Sequence, residues 1–315
     1  MSALSLPFPL PSLLRLPSLL RLPSLVRLPG APPGAHAPGA LLRAAALELS
    51  VLVAHLALYP TGWADERPTD GAETAGSPSP ASRLPLAPLP PVVLLHGFAD
   101  NRSVFVLLRR ALLRDADGTA RRRTVVSLNY SPLTCDIRAA AELLGRHVEE
   151  VRRRTGADRV DVVGHSLGGL IARYHVQRLG GDAVVRTLVT LGTPHSGTRV
   201  ARPADVHPIV RQLRPGSPVI EELGRPAPGC RTRFVAVRSD LDQIMVPTST
   251  ARLDHPDLRV ENVLVTGIGH LALPVHPTVT SLVREALSDP AAGQGSGTRA
   301  YEAPGAPETT AGTVA

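Results

Sequence analysis

The stretch Val162-Val163-Gly164-His165-Ser166-Leu167-Gly168-Gly169-Leu170 (VVGHSLGGL) sets one serine between two glycines, each two positions away. Val162-Val163 reads as the end of a buried strand, and the residues from Leu167 onward as the start of a helix. Two readings compete at that junction. Either a tight turn happens to contain a serine, or the turn exists to present it.

Outward from this turn, short apolar runs alternate with segments of helical spacing. Val92–Leu95, Thr124–Leu128, Arg159–Val163, Val185–Leu191, Arg233–Val237 and Glu261–Val265 read as strands. Arg102–Arg114, Asp136–Arg154, Leu167–Leu179 and Pro274–Leu287 read as helices, with Asp136 placed as an N-cap and Gly156 just past a helix end. The alternation predicts an α/β domain over 91–288, a mostly parallel central sheet with helices on both faces. The stretch 199–232 breaks the rhythm. It is rich in Pro, Gly and Arg, and reads either as a small lid or as a plain surface excursion.

The chain outside 91–288 is of another kind. Residues 1–38 carry the repeat LPSLLR-LPSLLR-LPSLVR-LP, whose proline in every unit forbids a continuous helix, and they read as a disordered leader. Residues 39–64 hold an apolar helix, ALLRAAALELSVLVAHLALY, ended by Pro60. Its Glu48 and His55 are seven apart and share one face. This helix is a signal or anchor, an interfacial helix, or one docked on the domain by its apolar face. Spanning a bilayer would bury Glu48 near the midplane at about 2.5–3.5 kcal/mol. Residues 65–90 read as a Pro/Ser/Ala-rich linker and 289–315 as a disordered tail. A secreted or membrane-associated protein is the expectation, with a cytoplasmic one as the alternative.

Composition excludes several function classes. The chain has 315 residues, 43% of them hydrophobic, enough for one large core. The net charge is +7, and all 34 basic Lys/Arg positions are arginine. Nucleic-acid binding is not expected, because the basic triplets 121–123 and 152–154 have no interleaved aromatics and aromatics total 3%. Two cysteines, Cys135 and Cys230, make neither a zinc site nor a dense disulfide framework. They are either a single bridge or two separate small hydrophobes.

The serine turn gains meaning from residues far from it. Gly164 to Gly168 fits G-x-S-x-G in a strand–turn–helix context, where the glycines make room and Ser166 projects as a nucleophile. A serine nucleophile needs a base and a group to orient that base. His270 follows the Glu261–Val265 strand in a glycine-rich loop and is the candidate base. Asp242 and Asp240 both follow the Arg233–Val237 strand. Asp242 is favoured as the acid because Ile244-Met245-Val246 should anchor its loop in the core, while Asp240 suits a turn. Both loops fall at carboxyl ends of strands, where an open α/β sheet builds its site. The backbone N–H groups of Phe98 and Leu167 are the candidate oxyanion donors. His96 and His195 precede the acid in sequence and read as structural or pocket-lining.

LLHGF, GHSLGG, LGTPHSGT, SDLDQIMVP and GIGHLALP, in that order, resemble the α/β-hydrolase lipases and esterases, specifically the bacterial triacylglycerol lipases found in actinobacteria. The resemblance covers about 90–288. It implies the α/β-hydrolase fold, hydrolysis of acylglycerols or short-chain esters through an acyl-enzyme, no cofactor, and a lipid or small-ester substrate met at a membrane or lipid interface. It places the acid at Asp242 and the base at His270, and it implies a Cys135–Cys230 pairing. Calcium binds some relatives, but no acidic cluster here calls for it. Acyl transfer or thioester hydrolysis by the same residues is the rival within chemistry. A non-catalytic binding module on this fold is the rival outside it.

Overall fold

The computed structural model describes residues 38–62, 89–98, 100–114, 123–131, 136–201, 207–288 and 298–301. Seven strands form one sheet: β1 (Val92–Leu95), β2 (Val125–Leu128), β3 (Val160–His165), β4 (Val185–Leu191), β5 (Arg233–Ser239), β6 (Arg259–Val265) and β7 (Thr298–Tyr301). Their spatial order is β2-β1-β3-β4-β5-β6-β7, and every neighbouring pair is parallel. The helices are α1 (Pro38–Leu58), α2 (Val106–Leu113), α3 (Ile137–Thr155), α4 (Leu167–Arg178), α5 (Pro208–Gln212), α6 (Pro218–Gly224) and α7 (Pro277–Ser288).

The strands carry apolar residues on both faces because both faces of the sheet are covered, and β1 is apolar throughout. Their two-residue period still sorts them. Val93 and Leu95 of β1, Val160 and Val162 of β3, and Phe234 and Ala236 of β5 pack with α3, α4, α5 and α6. Val92, Leu94, Val163, Val235 and Val237 pack on the other side, with α2, α7 and Val51 of α1. α3 begins and ends as its sequence dictates. Asp136 accepts the Ala139 N–H at 2.7 Å, and Gly156 stops the helix at φ 68°.

Two ion pairs lie inside this core, Asp161–Arg186 and Glu261–Arg233. Asp161 of β3 is fully buried, and burial pushes its carboxyl up against the pull of the Arg186 guanidinium, which binds it at 2.6 Å. Arg186 also donates to Leu287 O, and Arg233 donates both to Glu261 and to Ala286 O. Two strand arginines thus hold the carbonyl end of α7, where cations are favoured.

Three expectations shift. Thr298–Tyr301 extends β6 as an edge strand, so the stretch read as a disordered tail from 289 holds regular structure there; its other residues lie outside the described ones. The single helix expected over 102–114 divides into a 3-10 turn, Arg102–Phe105, and α2. The apolar helix of 39–64 is docked on the domain, but not by its wholly apolar face: the docked face carries Glu48 and His55 with the buried Ala44 and Val51, and leucines of the other face are exposed. Among the described residues, no helix is long and apolar enough to cross a membrane. The leader 1–37, and residues 63–88 that make up nearly all of the linker, lie outside the described residues.

Burial lowers the pKa of His96, His175 and His195, and His195 is driven well below the usual imidazole value by desolvation and then by Arg173. Each holds its proton less readily folded than unfolded, so unfolding takes up protons as the pH falls through the ordinary imidazole range near about 6.5. Stability conferred above that pH is therefore lost as the pH falls. For His195 the limiting slope is about 1.4 kcal/mol per pH unit. Thermal melts at pH 8, 6 and 5 should show a falling midpoint, and a flat profile would contradict these burials.

Candidate active site

Ser166 stands between β3 and α4 with φ 53° and ψ −119°, the sole non-glycine residue with positive φ among the described residues. Every residue from Val160 to Val176 is buried except Ser166. Such a backbone costs about 1–3 kcal/mol and persists only when its surroundings enforce it. Here the Ser166 N–H donates to Leu191 O at 2.8 Å, while its carbonyl accepts from Thr193 Oγ1 at 3.0 Å and from Gly169 N–H at 3.1 Å. The glycines permit the close approach. A Cβ on Gly168 would lie 2.4 Å from Leu95 O, and one on Gly164 would lie 2.6 Å from the Gly169 backbone.

The loops after β5 and β6 meet beside this turn. Nδ1 of His270 lies 2.8 Å from Oδ2 of Asp242, with both side chains buried. The other carboxylate oxygen of Asp242 accepts the N–H groups of Ile244 and Met245, each at 3.0 Å. Asp240 turns elsewhere and accepts the Gly267 N–H at 3.0 Å. Of the two aspartates weighed from sequence, Asp242 is the one brought to His270.

The loop after β1 closes the third side. A Cβ on Gly97 would lie 3.3 Å from that of Ser166, so this loop flanks the serine directly. His96 stacks on Tyr130 with ring centroids 4.4 Å apart, and Tyr130 donates to the His96 carbonyl. Phe98 follows in the turn, its ring edge-on to His207 at 5.7 Å, and Leu167 opens α4. His195 is buried, its Nε2 3.0 Å from Thr190 Oγ1. In the 199–232 stretch, α5 and α6 bury Ile209, Val210, Val219 and Leu223 in the domain core. Arg138 fastens α6 through Glu222.

Four residues went unassigned in the sequence reading of the site. Asp100 takes the Nδ1–H of His165 at 3.2 Å and lies 3.5 Å from Nδ1 of His55 on α1. Burial pushes the Asp100 carboxyl up, but the hydrogen bond from His165 and the charges of His165, His55 and His96 together outweigh it and hold it at about 2. His165 Nε2 in turn lies 3.2 Å from the His270 carbonyl oxygen, and the two rings are 4.8 Å apart. Glu48 of α1 accepts the N–H groups of Leu271 and Ala272 at 3.1 and 2.9 Å. Gly269 is small for that reason, since a Cβ there would lie 2.4 Å from the Glu48 carboxyl carbon. One sequence signal was available: Glu48 and His55 share a face of an otherwise apolar helix.

Among the described residues, no cluster of three His, Cys, Asp or Glu side chains could hold a metal ion. Cys230 is half-buried, and Cys135, its expected partner, lies outside the described residues. A groove of about 980 Å³ runs along α3 to the far end of α4, lined by Glu142, Arg146 and His175. It lies at the opposite end of α4 from Ser166 and shares none of these residues.

A family model described as alpha/beta hydrolase fold matches residues 90–214. The chain has the α/β-hydrolase fold. Two bacterial triacylglycerol lipases, from Pseudarthrobacter phenanthrenivorans and Burkholderia plantarii, are each 32% identical to it over 113 residues. That is 35% of this chain, and 35% and 31% of theirs, so the chain spans about a third of the length of the curated relatives it matches. Among solved structures, Aspergillus fumigatus lipase B matches at a TM-score of 0.54 and 20% identity, covering 64% of this chain and 54% of that one. The mature form of Bacillus licheniformis lipase BlEst2 matches at 0.53 and 15%, covering 68% and 95%. These two likenesses concern the fold alone. In α/β-hydrolase terms, Ser166 stands at the strand-to-helix turn and Asp242 and His270 in loops at the carboxyl edge of the sheet.

Glu48→Ala should free the two amides it holds. Hydrogen exchange at Leu271 and Ala272 is expected to quicken, with a loss of about 1.5–3 kcal/mol for bonds to a charged acceptor. Unchanged protection of both amides would show that the contact carries no energy.

Proposed function

We propose that this α/β-hydrolase-fold protein is a serine carboxylic-ester hydrolase acting on acylglycerols or related lipid and short-chain esters. The observation that carries the reading is the partly exposed, strained Ser166 beside a buried Asp242–His270 pair. In this mechanism His270 Nε2 takes the Ser166 hydroxyl proton as Oγ bonds to the ester carbonyl carbon. Asp242 holds the Nδ1–H and stabilises the imidazolium. The carbonyl oxygen becomes an oxyanion that accepts from the N–H groups of Phe98 and Leu167, aided by the amino end of α4. Collapse breaks the carbon–oxygen bond to the alcohol, which leaves with the proton from His270. A water, deprotonated by His270, then releases the acid and restores Ser166. The reading needs no cofactor. The similarity to triacylglycerol lipases supports ester substrates met at a lipid surface, and an exported or membrane-associated location follows from that.

Ser166→Ala should cut turnover of a p-nitrophenyl ester by at least about 10³-fold and abolish labelling by a fluorophosphonate probe, with the thermal midpoint not lowered. Turnover or labelling that survives in the variant would overturn the assignment. Product analysis with added alcohol, and with an acyl thioester, separates hydrolysis from acyl transfer and thioesterase activity.

A further inference from the structure

The polar side chains of α1 are few: Arg43, Glu48, Ser50 and His55. Ala44, Glu48, Val51 and His55 recur at helical spacing and form the docked face, which buries Ala44 and Val51 and turns both titratable groups toward the site. The opposite face carries Leu42, Leu49, Leu52, Val53 and Leu56, each between 42% and 69% exposed. These five large aliphatic side chains share one arc of the helix as a continuous apolar surface, and Leu47 and Leu58 are exposed nearer the docked side.

The sequence leading into this helix carries charge of one sign. Residues 1–47 contain Arg15, Arg21, Arg27 and Arg43 and no acidic side chain. Glu48 is the sole acid before Asp65, and its carboxylate is spent on the backbone of the His270 loop. What the outer face offers is aliphatic surface, preceded in sequence by a basic, leucine-rich leader, a combination that partitions into an anionic lipid interface. The position also fits. The outer face lies about one helix diameter, roughly 10 Å, from the inner face that touches the Leu271 and Ala272 amides.

We infer that α1 docks the enzyme on an anionic phospholipid surface through Leu42, Leu49, Leu52, Val53 and Leu56. A lipid surface gripped there lies beside the loops that flank Ser166. This inference rests on the ester-hydrolase reading only for its purpose; the docking itself is independent of catalysis.

The test is co-sedimentation of the full-length chain with vesicles of phosphatidylcholine and phosphatidylglycerol, compared with a Leu49→Glu/Val53→Glu/Leu56→Glu variant. The native chain should bind, and the variant should lose about tenfold or more of that binding. The variant should keep turnover of a soluble p-nitrophenyl ester and its circular dichroism. A native chain that ignores the vesicles, or a variant that binds them equally, overturns the inference. So does gel filtration showing that the native chain is a dimer and the variant a monomer, because the face then belongs to a second copy. Loss of soluble-ester turnover in Ser166→Ala is read separately, so failure of docking and failure of the hydrolase assignment remain distinct.

Discussion

The backbone of Ser166 is the constraint on which the rest of the site depends. A serine with φ 53° is unfavourable alone, and three hydrogen bonds from β4, the loop after it and α4 hold it there. Those bonds form only because α4 packs against the ends of β1 and β3 with no side chain between them. The glycines of the turn are therefore a packing requirement, and the exposure of the hydroxyl is their consequence. A helix that starts at the serine also points its unpaired N–H groups past it, so one steric arrangement supplies both projection and positive potential.

Electrostatics around the turn are built from buried pairs, each partner tying down a different loop. Asp242 holds the ring of His270 and its own loop through two backbone N–H groups. Asp100 holds His165, whose ring reaches the His270 carbonyl. Charged groups at this depth are tolerated because each carboxylate has its donors. The linkage also runs toward acid. Asp100 at about 2 is well below the ordinary aspartate range near 3.9, so it stabilises the fold above that range and loses the contribution as pH falls toward 2.

The sheet core was legible because its signals are local. Apolar-rich strands four to seven residues long, the Asp136 cap and the Gly156 stop each act within a few residues of their own positions. The choice of Asp242 over Asp240 was also local, although of Ile244-Met245-Val246, expected to anchor its loop in the core, only Met245 is buried and Ile244 and Val246 are exposed. The edge strand Thr298–Tyr301 was not legible. An edge strand needs no apolar run, and a short stretch set among Gly, Ala, Thr and Pro shows none. Glu48 and His55 were visible as a polar pair on an apolar helix, but nothing in a sequence states what a polar pair faces.

Glu48 explains why that gap matters. It is 223 residues from Leu271, yet it and Asp242 hold the same loop, one by the backbone and the other by the imidazole. Asp242 fixes the ring, while Asp240, Ser239 and His165 each hold one backbone group of Gly267 to His270. Glu48 extends that hold by accepting the amides of Leu271 and Ala272, and its bulk is what Gly269 accommodates. Precise placement of a side chain at a site requires support beyond its immediate partner. In this molecule that support comes from a helix that precedes the first strand of the sheet, so the docking of α1 belongs to the preorganisation of the site.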